Sequence, residues 1–226
     1  MHARLWSNTG GVDIWQVMLK TDDDEHARLW RLLSDVEHAR ALRVRRPDRM
    51  RHKVAGWGAL REILSRYCDR EPAQVAIERP SDKKPRLGSR DGSDLEFSCS
   101  YSGATGVVAV GRCGALGVDL ERVRPMPVEA FARAWCTPTE QAWLADTVPA
   151  ARTRVLLQIW TLKEAYLKGI GKGMTNPPRE MAACRREPGG VGAERLVIGA
   201  GPWRAEPLRA PSGYVAALAR MVASTA

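Results

Sequence analysis

Glu164 and Lys168 stand one helical turn apart in WTLKEAYLKGIGKGM, residues 160–174, just ahead of Gly169, Gly171 and Gly173. An acid and a base at that spacing share one helix face. They are either a surface ion pair, worth about 0.3–0.5 kcal/mol, or two members of a site. A second stretch, ALGVDLE over residues 115–121, reads as a strand. Alternation sends Leu116, Val118 and Leu120 into a core and turns Gly117, Asp119 and Glu121 to the other face. Two carboxylates about 6–7 Å apart along a strand repel one another, and both can reach one hard cation. The bland alternative is a solvated polar edge. With Glu164 as a third acid, the set suits Mg²⁺, which takes oxygen ligands and keeps waters and substrate phosphates in its shell. Lys168 would neutralise remaining phosphate charge, so chemistry at a phosphoryl group uses every member. The run Gly169-Ile170-Gly171-Lys172-Gly173 lacks the order of a P-loop. It reads as a helix end from which backbone and Lys172 approach a ligand.

These side chains need elements to hold them. Val155, Ile159, Leu162 and Tyr166 form an apolar stripe that anchors a helix over 152–169. Residues 128–145 are helical by pattern, with a helix start at Thr137 or Thr139. The strand 107–111 leads into 115–121 through a short hairpin connection, Arg112-Cys113-Gly114. Earlier come a first strand at 12–19, a helix at 23–34, and a basic segment broken by Pro47 and Asp48. A helix over 48–68 follows, with Val54, Trp57, Leu60, Ile63, Leu64 and Tyr67 on its core side. A short strand within 72–80, a polar loop over 81–94 and a strand-rich tail from Arg195 complete the chain. Each half thus offers strands and one long helix with a central tryptophan, Trp57 or Trp160, which predicts two similar α+β lobes.

The chain of 226 residues, 44% hydrophobic and 27% charged, has the composition of a globular protein. It contains no apolar run near the ~20 residues of a bilayer span and no secretory h-region, so a cytoplasmic protein without a membrane partner is expected. Five cysteines, odd in number and without a C-x-x-C pair, argue against a disulfide framework or a structural zinc site and read as small buried hydrophobes. The net charge of +9 lies wholly between Arg28 and Arg90, where 17 Lys/Arg face 8 Asp/Glu. Such a surplus points to an anionic partner: a polyphosphate, a nucleic acid or an acidic protein. An Arg-rich composition is the alternative. Nucleic-acid binding explains the charge but not three placed carboxylates, and no nucleic-acid-binding motif is present.

GVDLE followed some forty residues later by WTLKEAYLKGIGKG resembles the signature pair of the 4′-phosphopantetheinyl transferases. The length resembles the large, Sfp-like branch. Further points of likeness are the basic segment after Ser34, KKPRL, FSCSYSG and the terminal GYVAALA. The resemblance implies an α+β fold of two lobes related by a pseudo-twofold, residues 1–104 and 105–226, with the site at their junction and a monomeric enzyme. It implies transfer of 4′-phosphopantetheine from coenzyme A to a serine of an apo carrier protein, with Mg²⁺ held by Asp119, Glu121 and Glu164. Glu164, or a water on it, would take the serine proton, and Lys168 would contact the pyrophosphate or the pantetheine phosphate. Lys84 and Pro85 match the family's Lys-Pro near the nucleotide end of coenzyme A. Arg40 and one of Arg51, His52 or Lys53 match positions that hold the 3′-phosphate.

Two departures stand out. Beside Ser100, Tyr101 occupies the place of a histidine that binds pyrophosphate in relatives, and a phenol carries no positive charge at neutral pH. Weaker coenzyme A binding, or compensation by a nearby Arg or Lys, follows; a catalytically weak relative that only binds coenzyme A is the alternative. Glu37 stands where relatives often have lysine. Met126, Val128 and Phe131 are either core or contacts for an acidic carrier protein.

Overall fold

The computed structural model describes residues 2–80, 84–88, 94–172, 183–186, 195–200 and 202–222. Gly173 lies outside them. The fold is α+β, and the chain divides into two compact units. One comprises Met1–Pro80 with Pro85–Arg112, the other Ser81–Lys84 with Cys113–Ala226.

The first unit is a four-stranded antiparallel sheet with helices packed on it. Strands β1 (Ala3–Thr9), β2 (Val12–Met18), β5 (Glu96–Ser102) and β6 (Thr105–Gly111) run in the order β1-β2-β6-β5. A separate two-stranded ribbon pairs β3 (Ile77–Glu78) with β4 (Arg86–Leu87). Helices α1 (Asp23–Trp30), α2 (Asp35–Leu42) and α3 (Pro47–Cys68) supply the other layer. Pro47 sits in the first turn of α3, where its missing N–H costs nothing. Val54, Leu60, Ile63 and Leu64 of α3 are buried against Trp15, Val17, Phe97, Val108 and Val110 of the sheet, as the helical spacing requires. Strand β6, expected to open the second lobe, is the inner strand of this sheet. With β2 on one side and β5 on the other it has no free edge. The expected hairpin between residues 107–111 and 115–121 therefore does not form, and the latter strand joins a different sheet.

That sheet belongs to the second unit. Its order is β7-β11-β10-β9-β8, for β7 (Leu116–Arg122), β8 (Cys184–Arg186), β9 (Arg195–Ala200), β10 (Trp203–Leu208) and β11 (Tyr214–Met221). Helices α4 (Val128–Trp135), α5 (Pro138–Asp146) and α6 (Pro149–Gly169) complete it. Thr137 caps α5 through a reciprocal pair with Glu140, which selects Thr137 over Thr139 as the helix start. Leu162 and Ala165 of α6 pack on Ala205, Ala217 and Ala219 of the sheet, while Leu156 and Ile159 pack on Ala132 and Cys136 toward α4. The single stripe read from the sequence thus serves two contacts. Met126, Val128 and Phe131 are partly buried on the second of these clusters.

Small side chains let α6 lie close on β7 and β11. A Cβ on Gly117 would overlap the carbonyl oxygen of Ala165 and the backbone of Gly169. The room left by this glycine is filled by the helix backbone, not by a ligand. Gly117→Ala is expected to lower stability by about 1–3 kcal/mol through overpacking, read as a fall in denaturation midpoint at unchanged slope; a midpoint equal to wild type would contradict the close approach.

Among the described residues no helix is long and apolar enough to cross a membrane. Of the described cysteine side chains only Cys136 is buried; Cys68, Cys99 and Cys113 are half-exposed, contrary to their reading as core hydrophobes. Cys68 and Cys99 nevertheless pack against the core of the first unit.

Candidate active site

The carboxylate set assembles where α6 crosses β7. Asp119 faces α6 on the same side of β7 as Gly117, opposite Ala217 in the paired strand. It is 4% exposed. Lys168 donates from Nζ to Asp119 Oδ1 at 2.7 Å and to the Val118 carbonyl at 3.3 Å. Glu164, one turn earlier, is 9% exposed, and its Oε1 is buried without a hydrogen-bond partner. Burial pushes the Glu164 carboxyl up, Asp119 adds to that, Lys168 opposes it and Glu121 adds again. Glu164 therefore feels both other acids. Glu121 is half-exposed and pairs loosely with Arg124 at 3.6 Å, a partner the sequence reading did not name.

Helix α6 ends here with a reciprocal cap. Lys172 N–H bonds to the Leu167 carbonyl and Gly171 N–H to the Lys168 carbonyl, with Gly171 at φ +71°. Glycine is required at that conformation. Lys172 itself is exposed just beyond the cap.

The rotation of α6 that aims Glu164 at β7 is fixed by its neighbour Lys163, whose role was not legible beforehand. Lys163 is fully buried; it donates to Glu140 Oε2 at 2.6 Å and to the Trp135 carbonyl at 3.0 Å. Glu140 also accepts from the backbone N–H groups of Thr137 and Ala183. One buried ion pair thereby ties α4, α5 and the start of β8 to α6. Phe131, Trp135 and Trp160 stack edge to face beside it.

A second set lies in the first unit. A cavity of about 240 Å³ is lined by Leu19, Arg49, His52, Lys53, Trp57, Tyr101 and Gly103. Of the three alternatives at the head of α3, His52 and Lys53 face this cavity. Arg51 turns away, donating to the carbonyls of Thr21 and Asp22 and pairing with Asp23 at 2.9 Å. The reason is geometric: at about 3.6 residues per turn Arg51 is rotated about 100° from His52 and about 200° from Lys53, which carries it off the face those two share. Arg49, His52 and Lys53 stand at i, i+3 and i+4 and do share one, which adds Arg49 to the residues worth testing. Arg40 is half-exposed in the last turn of α2, outside the cavity lining. Ser100 and Tyr101 point to opposite faces of β5, so only Tyr101 reaches the cavity, and Ser100 is buried. Pro85 opens toward β4 in this unit, whereas Lys84 belongs with the second and donates to the Leu116 carbonyl at 2.9 Å.

Glu37, a departure in sequence, has a structural task. It is buried, completes a capping box with Ser34 and accepts from Arg61 Nε at 2.8 Å and Arg79 Nε at 2.9 Å. Arg79 lies over the Trp57 ring, 4.7 Å from its centre, as does Lys53 at 5.1 Å. Arg79 Nη2 is buried without a hydrogen-bond partner.

Among the described residues no three His, Cys, Asp or Glu side chains are already drawn into a metal shell. The donor set nonetheless fits a hard divalent cation. All three groups are carboxylates, Glu164 Oε1 is buried and unsatisfied, and Lys168 pairs with one of the two buried acids, Asp119.

Comparison with known proteins gives the family. A family model for the 4′-phosphopantetheinyl transferase superfamily matches residues 115–219, the stretch that carries Asp119, Glu121, Glu164 and Lys168. The 4′-phosphopantetheinyl transferase HetI of Nostoc sp. (strain PCC 7120) is 35% identical over 180 residues, covering 78% of this chain and 76% of that protein. The 4′-phosphopantetheinyl transferase Sfp of Bacillus subtilis (strain 168) is 22% identical over 171 residues, covering 76% of this chain and 75% of its own. The chain belongs to the 4′-phosphopantetheinyl transferase superfamily and is an enzyme of that class.

Proposed function

We propose that this enzyme transfers 4′-phosphopantetheine from coenzyme A to a serine hydroxyl of an apo acyl or peptidyl carrier protein. The observation that carries the reading is Glu164, buried with one carboxylate oxygen unsatisfied beside Asp119 and Lys168. In the reaction the serine oxygen forms a bond to the phosphorus of the pantetheine phosphate. The bond from that phosphorus to the bridging pyrophosphate oxygen breaks, and adenosine 3′,5′-bisphosphate leaves. Asp119, Glu121 and Glu164 would hold Mg²⁺, which when bound offsets charge on the pyrophosphate oxygens. Glu164, or a water on it, is the group placed to accept the serine proton, and burial helps by making its carboxylate more basic. Lys168 would neutralise charge on the phosphate being transferred. His52, Lys53 and Arg49 supply positive charge for the phosphate at the nucleotide end, with Trp57 and Leu19 as apolar lining. The basic surplus of residues 28–90 suits an acidic carrier protein as partner. With coenzyme A and carrier proteins as its substrates, we place the enzyme in the cytoplasm as a monomer that needs no nucleic acid.

The test is the intact mass of an apo carrier protein incubated with enzyme and coenzyme A, with Mg²⁺ or with chelator. The expected result is a gain of one phosphopantetheine in the Mg²⁺ arm only. Tyr101 in place of a histidine favours one other reading, an enzyme that binds coenzyme A but transfers poorly. Coenzyme A binding without any mass gain, across carriers of several types, would select it.

A further inference from the structure

We infer that Tyr101 is a fixed wall of the 240 Å³ cavity rather than a donor to the bound phosphate, and that restoring histidine there would weaken the site. This rests on the reading of the cavity as the seat of the coenzyme A nucleotide end. The phenol hydroxyl is already committed. It donates to the Gly56 carbonyl at 3.0 Å, inside helix α3. The ring is gripped by two glycines: a Cβ on Gly56 would stand 2.8 Å from ring carbon Cε1, and one on Gly106, opposite Tyr101 in β6, 2.5 Å from Cδ1. Any other residue at either position would expel the ring. A slot shaped by two absent side chains and closed by a backbone acceptor holds tyrosine in one rotamer. Burial first, with the neighbouring Cys99 next, also holds the phenol well above its usual pKa, so it stays neutral.

The cavity still takes an anion, because its charge comes from elsewhere. Arg49, His52 and Lys53 project from one face of α3, and Arg79 stacks on the Trp57 that lines it. Opposite chemistry thus meets in one small space, with two aromatic rings and Leu19 against three basic side chains. That arrangement selects a ligand group that is flat and neutral on one part and anionic on another. Anion recognition in this cavity rests on α3, and Tyr101 sets the shape of the space. An imidazole is too short to reach the Gly56 carbonyl from β5. It would leave the slot between Gly56 and Gly106 part empty and the cavity wall free to move.

The experiment compares Tyr101→His and Tyr101→Phe in the full chain, reading Tm without ligand and KM and kcat for coenzyme A. Tyr101→His is expected to lower Tm by about 5 °C and raise KM about fivefold, with a much smaller change in kcat. Tyr101→Phe, which keeps the ring, is expected to move both quantities less. A KM below wild type for Tyr101→His would overturn the inference, because it would mean that a charged side chain at 101 does contact the phosphate. So would a tenfold or greater rise in KM for Tyr101→Phe at unchanged Tm. Failure of the functional reading looks different: wild type then neither binds coenzyme A nor transfers, whatever the order of the Tm values. That outcome would also remove the nucleotide part of this inference and leave only the packed wall.

Discussion

Glu164→Gln is expected to lower the rate of phosphopantetheine transfer about 10³-fold while leaving Tm unchanged or raised, the trade-off expected where like charges are buried together for function. The two halves of the prediction have different origins. In the folded chain Glu164 is buried, and Asp119 and Glu121 both disfavour its charge; Lys168 compensates only in part. Glutamine keeps the volume and removes the charge, so the repulsion goes and the packing stays. For the reaction, the same change removes a carboxylate from the set that would hold Mg²⁺ and from the place where the serine proton would go. A second readout separates these roles from simple misfolding. Added Mg²⁺ is expected to raise the Tm of wild type, as any ligand of the folded state does, and to do so far less in Glu164→Gln. A rate within about tenfold of wild type would sink the assignment of Glu164. A fall in Tm of several degrees would sink the account of its electrostatics.

What made Glu164 findable was spacing. A four-residue step on a helix and a two-residue step on a strand are fixed by backbone geometry, so the faces of α6 and β7 follow from the residue order alone. The partners of those faces do not. Gly117 could be placed on the face of Asp119 and Glu121, but nothing in the strand itself says that the backbone of α6 comes to lie against it. The short link Arg112-Cys113-Gly114 looked like a hairpin because adjacency in sequence usually means adjacency in a sheet. Here both edges of β6 are taken, by strands that come about ten and ninety residues earlier. Strand β1 escaped notice because ARLWSNT shows no alternation, and its side chains are for the most part exposed or half-exposed. Lys163 was hidden inside an apolar helix pattern; its partner Glu140 lies 23 residues away in another helix. Arg51, His52 and Lys53 could not be told apart by type, and only the orientation of α3 against the loop at Thr21 and Asp22 separates them.

The same kind of distant partnership makes Glu37→Ala the largest expected loss of stability. Read in sequence, Glu37 is a charge in an unexpected place. In the fold its carboxylate is 1% exposed and bridges two guanidiniums, Arg61 at 2% and Arg79 at 9%. Arg61 is also anchored by the carbonyls of Pro72, Ala73 and Val75, so it cannot follow a missing partner out to water. Alanine would leave both cations buried with no anion between them and would uncap α2. Breaking one side of a buried ion pair costs about 3–5 kcal/mol, which in a chain of this size means a fall in Tm of about 10 °C. The dependence on pH follows from the carboxyl. Burial alone would raise its pKa, but the Ser34 backbone N–H and the guanidiniums of Arg79 and Arg61 outweigh burial and hold it below the usual glutamate range. A group whose pKa is lower folded than unfolded stabilises above its unfolded value, about 4.3, and loses that contribution as pH falls through the folded value. The Tm gap between wild type and Glu37→Ala is therefore expected to be constant from neutral pH down to about 5 and to close in more acidic solution. A gap that persists unchanged at pH 3 would show that the loss comes from the cap and the packing, not from the charge. Because Arg79 rests on Trp57 and Trp57 lines the cavity, the variant should also raise KM for coenzyme A more than it lowers kcat. The buried acid in α2 would then be what keeps the basic cavity in shape.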